Sequence, residues 1–247
     1  MGAAAGPMRL VLASNNAKKL VELRALLAGL PLAIVAQGSL GIAEADEPFH
    51  SFIENSLAKA RHAAAASDGA ALADDSGLCV GALGGAPGVI SAHFAGELPV
   101  LVGEDREARR RRQDAANNAA LLARLAGPGG AADRRAHFIS TLVAVRHADD
   151  PEPLVAVGRW PGLILAEPRG DQGFGYDPLM FIPELGATVA ELDADTKNQH
   201  SHRARSAALL RVMLTEVWYL DRRRGDDRHV GNRQIGDRHL GNPPLGA

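Results

Sequence analysis

A chain of 247 residues with 46% hydrophobic and 23% charged side chains has the composition of a globular protein able to bury one sizeable core. Its formal net charge of −2 argues against a general nucleic-acid-binding surface, which carries a basic excess; an anionic ligand must be caught by local positive groups. A single cysteine, Cys79, excludes an internal disulfide or a cysteine zinc cluster, suits a reducing compartment, and reads as a small buried apolar side chain.

No uninterrupted apolar run is long enough to span a bilayer. The start, Met1 to Pro7, lacks the basic flank and apolar core of a secretion signal. These features predict a cytoplasmic protein with no membrane partner. Residues 1–7 read as a flexible leader, and Met8 begins the structured pattern. Leu10-Val11-Leu12 predicts a short buried strand, followed by the polar run Ser14-Asn15-Asn16. Leu20, Leu23, Leu26 and Leu27 recur at helical spacing until Gly29 and Pro31 stop them. A second strand, Leu32 to Ala36, follows at once, and strand–helix–strand at the start is an α/β signature.

Ser51-Phe52-Ile53-Glu54 is a capping-box pattern opening an alanine-rich helix to about Ala66. Ala70 to Ala73 reads as a strand delivering the turn Asp74-Asp75-Ser76-Gly77. Leu83 to Gly88 is a glycine-rich loop. A charged helix from Glu104 to Leu125 carries Arg109 to Arg112, expected to form a solvated face. Ala136 to Val145 and Leu154 to Gly158 read as strands joined by a hairpin loop over Asp149 to Pro153. Leu163 to Ala166 and Ala187 to Leu192 are further strand candidates, and Ala204 to Leu220 predicts a closing helix. Beyond Leu220, Asp227 to Asn232 recurs as Asp237 to Asn242. This polar, glycine-rich tail, 221–247, cannot build a core and is expected to be disordered.

Four segments can carry chemistry. Adjacent carboxylates repel, so Asp74 and Asp75 raise a metal site beside the ordinary turn they also suit. If the pair is extended, its side chains point to opposite sides, and only one faces a metal. Lys18 and Lys19 in a first helical turn oppose the macrodipole, which makes better sense with an anion bound before them. Phe174-Gly175-Tyr176-Asp177 places two rings in a glycine loop that a flat ligand can approach, or that caps the core. Lys197, His202 and Arg203 lie at or near a last helix start and donate hydrogen bonds to carbonyl or phosphate oxygens.

In order and content these segments resemble the inosine triphosphate pyrophosphatase family, the non-standard purine nucleoside triphosphate pyrophosphatases. The resemblance covers about Met8 to Leu220, with Phe52 to Asn55 and Leu83 to Gly88 also similar. It implies an elongated α/β fold: a mixed central sheet flanked by helices, in two lobes around an active-site cleft, usually as a homodimer. It further implies magnesium-dependent hydrolysis of inosine, deoxyinosine and xanthosine triphosphates to monophosphate and pyrophosphate. Carried over, Ser14, Asn15, Asn16, Ala17, Lys18 and Lys19 would hold the triphosphate. Asp75 would bind the metal and accept a proton from the attacking water, with Ser76 on the substrate. Phe174, Gly175, Tyr176 and Asp177 would form one wall of the base pocket, and Lys197, His202 and Arg203 would complete nucleotide binding, with His202 and Arg203 donating to the purine 6-oxygen. Asp46 or Glu47 would be the second metal carboxylate, though here Pro48 and Phe49 follow the acids. A pyrophosphatase for other nucleotides and an inactive nucleotide-binding module are the alternatives.

Overall fold

The computed structural model describes residues 6–126 and 133–220. Seven strands form one mixed sheet in the order β2-β1-β3-β4-β5-β6-β7. β1 (Met8–Leu12), β2 (Leu32–Ala36) and β3 (Ala71–Val80) are mutually parallel, and helices α1 (Ala17–Leu26) and α2 (Phe52–Ser67) supply the crossovers. β4 (Arg135–Val145), β5 (Leu154–Ile164), β6 (Met180–Ile182) and β7 (Ala187–Thr188) continue the sheet antiparallel. Helices α3 (Arg106–Leu125), α4 (Ala194–His200) and α5 (His202–Glu216) complete the chain. Among the described residues no helix is long and apolar enough to cross a membrane.

Side chains alternate across β3, and this alternation sorts the core. Leu72 joins Leu10, Leu12, Leu142 and the α5 residues Ala207, Leu210 and Leu214 on one face. Ala71 and Ala73 join Val11, Val143 and α2 residues Ala60, Ala63 and Ala64 on the other. The small α2 side chains let that helix lie close to the sheet. A third cluster surrounds Leu78, Phe138, Trp160 and Tyr176, under Leu121 and Leu125 of α3. The sheet therefore carries two lobes, and residues 74–77 of β3 sit where one ends and the next begins.

The acidic segment is not a turn. It is the middle of β3, with Asp74 opposite Leu142 and Asp75 opposite Thr141 in the antiparallel register. Asp and Gly favour turns locally, but pairing with β4 and ionic partners distant in sequence override that preference. The strand expected at Leu163 to Ala166 is the end of β5, which runs unbroken through Trp160-Pro161-Gly162. β6 pairs only with Leu163 and Ile164, so β5 is an edge at Pro161, where a missing N–H is tolerated. Ala187 to Leu192 is only two strand residues before a 3₁₀ turn at Val189–Glu191. The closing helix starts earlier than expected, at His202 with Ser201 as its N-cap, and α4 and β6 were not foreseen. Cys79 is half-buried rather than enclosed. Residues 1–5 of the expected leader and all of the repeat tail, 221–247, lie outside the described residues.

Candidate active site

β1 ends at Leu12, and the chain passes through Ser14 and Asn15 to Asn16, the N-cap of α1. The Asn16 side chain accepts the N–H groups of Lys18 and Lys19 at 3.0 and 3.4 Å, which places both lysines in the first helical turn. Lys19 does not stay in solvent. Its ammonium reaches the Asp74 carboxylate at 3.1 Å and the Asp74 carbonyl at 3.2 Å.

Asp74 points to the α5 face. Two guanidinium nitrogens of Arg203 donate to it at 2.9 and 3.0 Å, and the Ser140 hydroxyl donates at 2.9 Å. Arg203 also pairs with Glu22 of α1 and donates to Ser76 at 3.1 Å. Burial alone would raise the Asp74 carboxyl, but Arg203 and then Lys19 overcome it and hold it far below the usual carboxylate range. Gly158 makes this possible: a Cβ there would collide with the His202 carbonyl and the Ser206 N–H. Its hydrogen lets the start of α5 close on β5 and brings Arg203 to the strand.

Asp75 points the other way, to the α2 face, where it is 5% exposed. Lys59 of α2 reaches its Oδ1 at 3.3 Å, while Oδ2 is buried with no partner. Burial pushes its carboxyl up to about 6 against the pull of Lys59, and the charge of Glu47 adds to the rise. Lys59 also meets Glu47 at 3.1 Å. One strand thus presents a fully paired carboxylate and an under-paired one in consecutive positions.

Beside β3 opens a cleft of about 590 Å³. Ser14, Asn16, Lys19, Ser76 and Glu44 line one part, and Phe174 to Asp177, Lys197, His202 and Arg203 line another. At this second end Lys197 lies 4.8 Å from the centre of the Phe174 ring and binds Asp177 at 2.9 Å. The Asp177 carboxylate also accepts the Phe174 N–H at 2.9 Å, which fixes the loop's curl. Tyr176 turns inward: it is buried, and its hydroxyl donates to the Ser91 carbonyl at 2.9 Å. Phe174 stays half-buried at the cleft wall, with Lys18, Arg110 and Lys197 placed over its ring. His202 is buried against Phe138 with 5.0 Å between ring centres, and its Nδ1 has no partner. Burial, reinforced by Arg203, drives its pKa well below the ordinary value, so the ring is neutral at pH 7.

The structure thus gathers Ser14, Asn16, Lys19, Ser76, Phe174, Gly175, Asp177, Lys197, His202 and Arg203 around one cavity. Asn15 sits beside Gly38 and Ala17 is exposed, so neither side chain lines the cleft. Lys18 approaches the Phe174 ring at 5.5 Å and pairs with Glu107 at 3.5 Å. Asp75 lies behind Ser76 on the α2 side of the strand. Both candidate metal acids, Asp46 and Glu47, are exposed, and Glu47 shares Lys59 with Asp75. Arg203 spends its donors on Asp74, Glu22 and Ser76, which leaves it less free for a base oxygen than the sequence suggests.

The family model described as the Ham1 family matches residues 10–213. The chain belongs to the Ham1 family. A dITP/XTP pyrophosphatase of Methylibium petroleiphilum is 65% identical over 211 residues, covering 85% of this chain and 99% of that protein. One of Leptothrix cholodnii is 64% identical over 214 residues, covering 86% of this chain and 100% of that protein. A solved HAM1 protein from Coxiella burnetii superposes with a TM-score of 0.74 at 38% identity, over 85% of this chain and 99% of that one.

Several members of this Ham1-family site escaped sequence reasoning. Lys59 had a visible signal, a lysine on the alanine-rich face of α2, where a buried charge demands a partner. Glu22 and Ser140 had none, since their roles depend on Arg203 and Asp74 far away in sequence. The arginine run of α3 was expected to be a solvated face, yet Arg106, Arg109 and Arg110 line the cleft and Arg112 pairs with Glu104 at 2.8 Å.

Proposed function

We propose that the chain hydrolyses deaminated purine nucleoside triphosphates, those of inosine, deoxyinosine and xanthosine, to the monophosphate and pyrophosphate. One observation carries the reading: the cleft runs from the Phe174 ring to Ser76 of β3, and the residue before Ser76, Asp75, keeps one buried oxygen, Oδ2, without a partner. Relatives covered almost end to end and named dITP/XTP pyrophosphatases support the substrate class.

Asp75 Oδ2 takes a proton from the attacking water as the water oxygen bonds to phosphorus, and the P–O bond of the α–β anhydride bridge breaks with its electron pair leaving on the departing phosphate group. A carboxyl raised to about 6 is a stronger base than an ordinary aspartate and remains mostly ionised at pH 7. Lys19 and Lys59 offset phosphate charge, and the positive N-terminal end of α1 adds to their effect. The donor set fits magnesium, a hard cation preferring carboxylate oxygens. Asp75 and Glu47 would hold it with phosphate oxygens and water, and it would neutralise charge on the reacting phosphate. At the base end, the purine stacks on Phe174, and Lys197 and the neutral His202 supply donors toward the 6-oxygen. Adenine offers an amine there, leaving those donors unpaired, which discriminates by up to ~10⁴-fold. A homodimer acting in the cytoplasm completes the proposal.

The test is a panel of purine and pyrimidine triphosphates with magnesium, with pyrophosphate and orthophosphate counted separately. Stoichiometric pyrophosphate from ITP, dITP and XTP, with little from ATP, is expected. Preference for a pyrimidine triphosphate would sink the reading, and absence of any pyrophosphate would favour a binding module.

A further inference from the structure

The 6-oxygen separates deaminated purines from adenine but not from guanine. Hypoxanthine, xanthine and guanine share that oxygen and differ at the 2-position, which bears a hydrogen, a carbonyl oxygen or an amine. Discrimination among them requires a group at the base end of the cleft that answers to the 2-substituent.

Helix α3 brings such a group to the aromatic loop. The Arg110 guanidinium carbon lies 5.3 Å from the centre of the Phe174 ring, and the side chain lines the cleft. It makes no hydrogen bond or ion pair with any described residue, whereas Arg112 two positions on is tied to Glu104. The placement is fixed from both sides. One turn along α3, Asp114 accepts the Gly175 N–H at 2.8 Å, and Asn118 donates to the Gly175 carbonyl at 3.0 Å. The loop that presents Phe174 is therefore fastened by its backbone to the helix that presents Arg110. The guanidinium sits over the ring itself, so a purine stacking there meets a planar fork whose N–H donors make no hydrogen bond to any described residue.

We propose that Arg110 reads the purine 2-position, favouring xanthine and disfavouring guanine. This rests on the proposed activity and deepens it. Xanthine offers a 2-carbonyl acceptor and sheds a ring proton near neutrality, so its edge becomes anionic and gains a charge-assisted hydrogen bond. Guanine turns an amine toward the same fork, donor against donor, and loses its hydration without replacement. Hypoxanthine has only a C–H there and is nearly indifferent to the residue.

The experiment measures kcat/KM for XTP, ITP and GTP in the full-length wild type and in Arg110→Gln, Arg110→Lys and Arg111→Gln. Arg111 is exposed on the same helix and does not line the cleft, so its variant controls for lost charge alone. In Arg110→Gln the XTP/ITP ratio should fall about tenfold, the loss of one charge-assisted hydrogen bond, while the GTP/ITP ratio rises severalfold. Arg110→Lys, which keeps charge but not the fork, should recover part of the XTP preference. In the wild type the XTP/ITP ratio should climb across the pH range in which the xanthine base ionises, and the climb should flatten in Arg110→Gln.

Equal weakening of all three substrates would make Arg110 a phosphate-binding or structural residue and overturn the proposal. So would an equal fall of the XTP/ITP ratio in Arg111→Gln, or ratios unchanged within twofold in Arg110→Gln. Wild-type enzyme inactive on every purine triphosphate would instead overturn the underlying activity, and this inference with it.

Discussion

Asp74 and Asp75 are neighbours in one strand, yet they occupy opposite chemical environments. On the α5 face Asp74 is fully satisfied: Arg203, Lys19 and Ser140 surround it, and its carboxyl is held far below the usual range. On the α2 face Asp75 has Lys59 on one oxygen and nothing on the other, and its carboxyl is pushed up to about 6. Two like residues with pKa values driven apart mark two roles. Asp74 is tied to partners on α1 and α5, and Asp75 keeps one oxygen without a partner, the one the proposed mechanism uses as its base.

The sharpest way to break this division is to exchange the losses. Asp75→Asn should lower kcat by roughly 10³-fold, the range for removal of a general base, while nucleotide binding and folding persist. Pyrophosphate release and an equilibrium binding titration read the two separately. Near-normal turnover would remove Asp75 from the mechanism. Asp74→Asn should act on the fold instead. It leaves a buried guanidinium and ammonium without their shared counter-ion and costs about 3–5 kcal/mol, read as a lower midpoint in urea. A variant as stable as wild type would show that Glu22 alone suffices for Arg203.

The same contrast predicts a pH dependence of stability in the metal-free protein. The folded state binds a proton at Asp75 more tightly than the unfolded chain, in which the carboxyl returns to about 4. Stability from this group is therefore greatest below that value, declines as pH rises, and is lost once pH passes about 6. The full penalty at pH 7 is on the order of 2–3 kcal/mol. Asp75→Asn lifts it, so the variant should melt above wild type at pH 7 and by progressively less toward pH 4. A gap that is constant with pH would mean that Asp75 titrates normally. The sign at Asp74 is opposite: its stabilisation is present above the ordinary carboxylate value and fades only on strong acidification.

Much of the fold was legible where local pattern and tertiary structure agree. The polar run after β1 leads into a helix as expected, and the bounds of β2 followed from its apolar run between Pro31 and Gln37. Ser51 caps α2, accepting the Glu54 N–H at 3.3 Å. Local reasoning failed where distant charges decide. Asp-Asp-Ser-Gly looks like a turn because the partners that straighten it, Arg203 and Ser140, lie 129 and 66 residues from Asp74. The run Arg109 to Arg112 looks uniformly solvated until α3 is seen to turn two of its arginines into the cleft. Motif order brought eleven of the cleft-lining residues to notice, but no periodicity could reveal that the Tyr176 ring is buried while Phe174 stays half-buried at the cleft wall.

The finest test of the two faces lies on the neighbouring strand. Ser140 and Thr141 of β4 stand opposite Ser76 and Asp75, so consecutive hydroxyls face opposite sides of the sheet. Ser140 gives its proton to Asp74 and lies 2.9 Å from the Ser206 hydroxyl. Ser140→Ala should therefore cost about 1 kcal/mol of stability. The Thr141 hydroxyl is buried without a partner, so the nearly isosteric Thr141→Val removes a desolvated polar group and no hydrogen bond. Its effect should lie between zero and a stabilisation of about 1 kcal/mol, with turnover unchanged. If Thr141→Val instead slows turnover without unfolding the protein, that hydroxyl works with Asp75 on the reacting water. The under-satisfied face would then contain two catalytic groups rather than one.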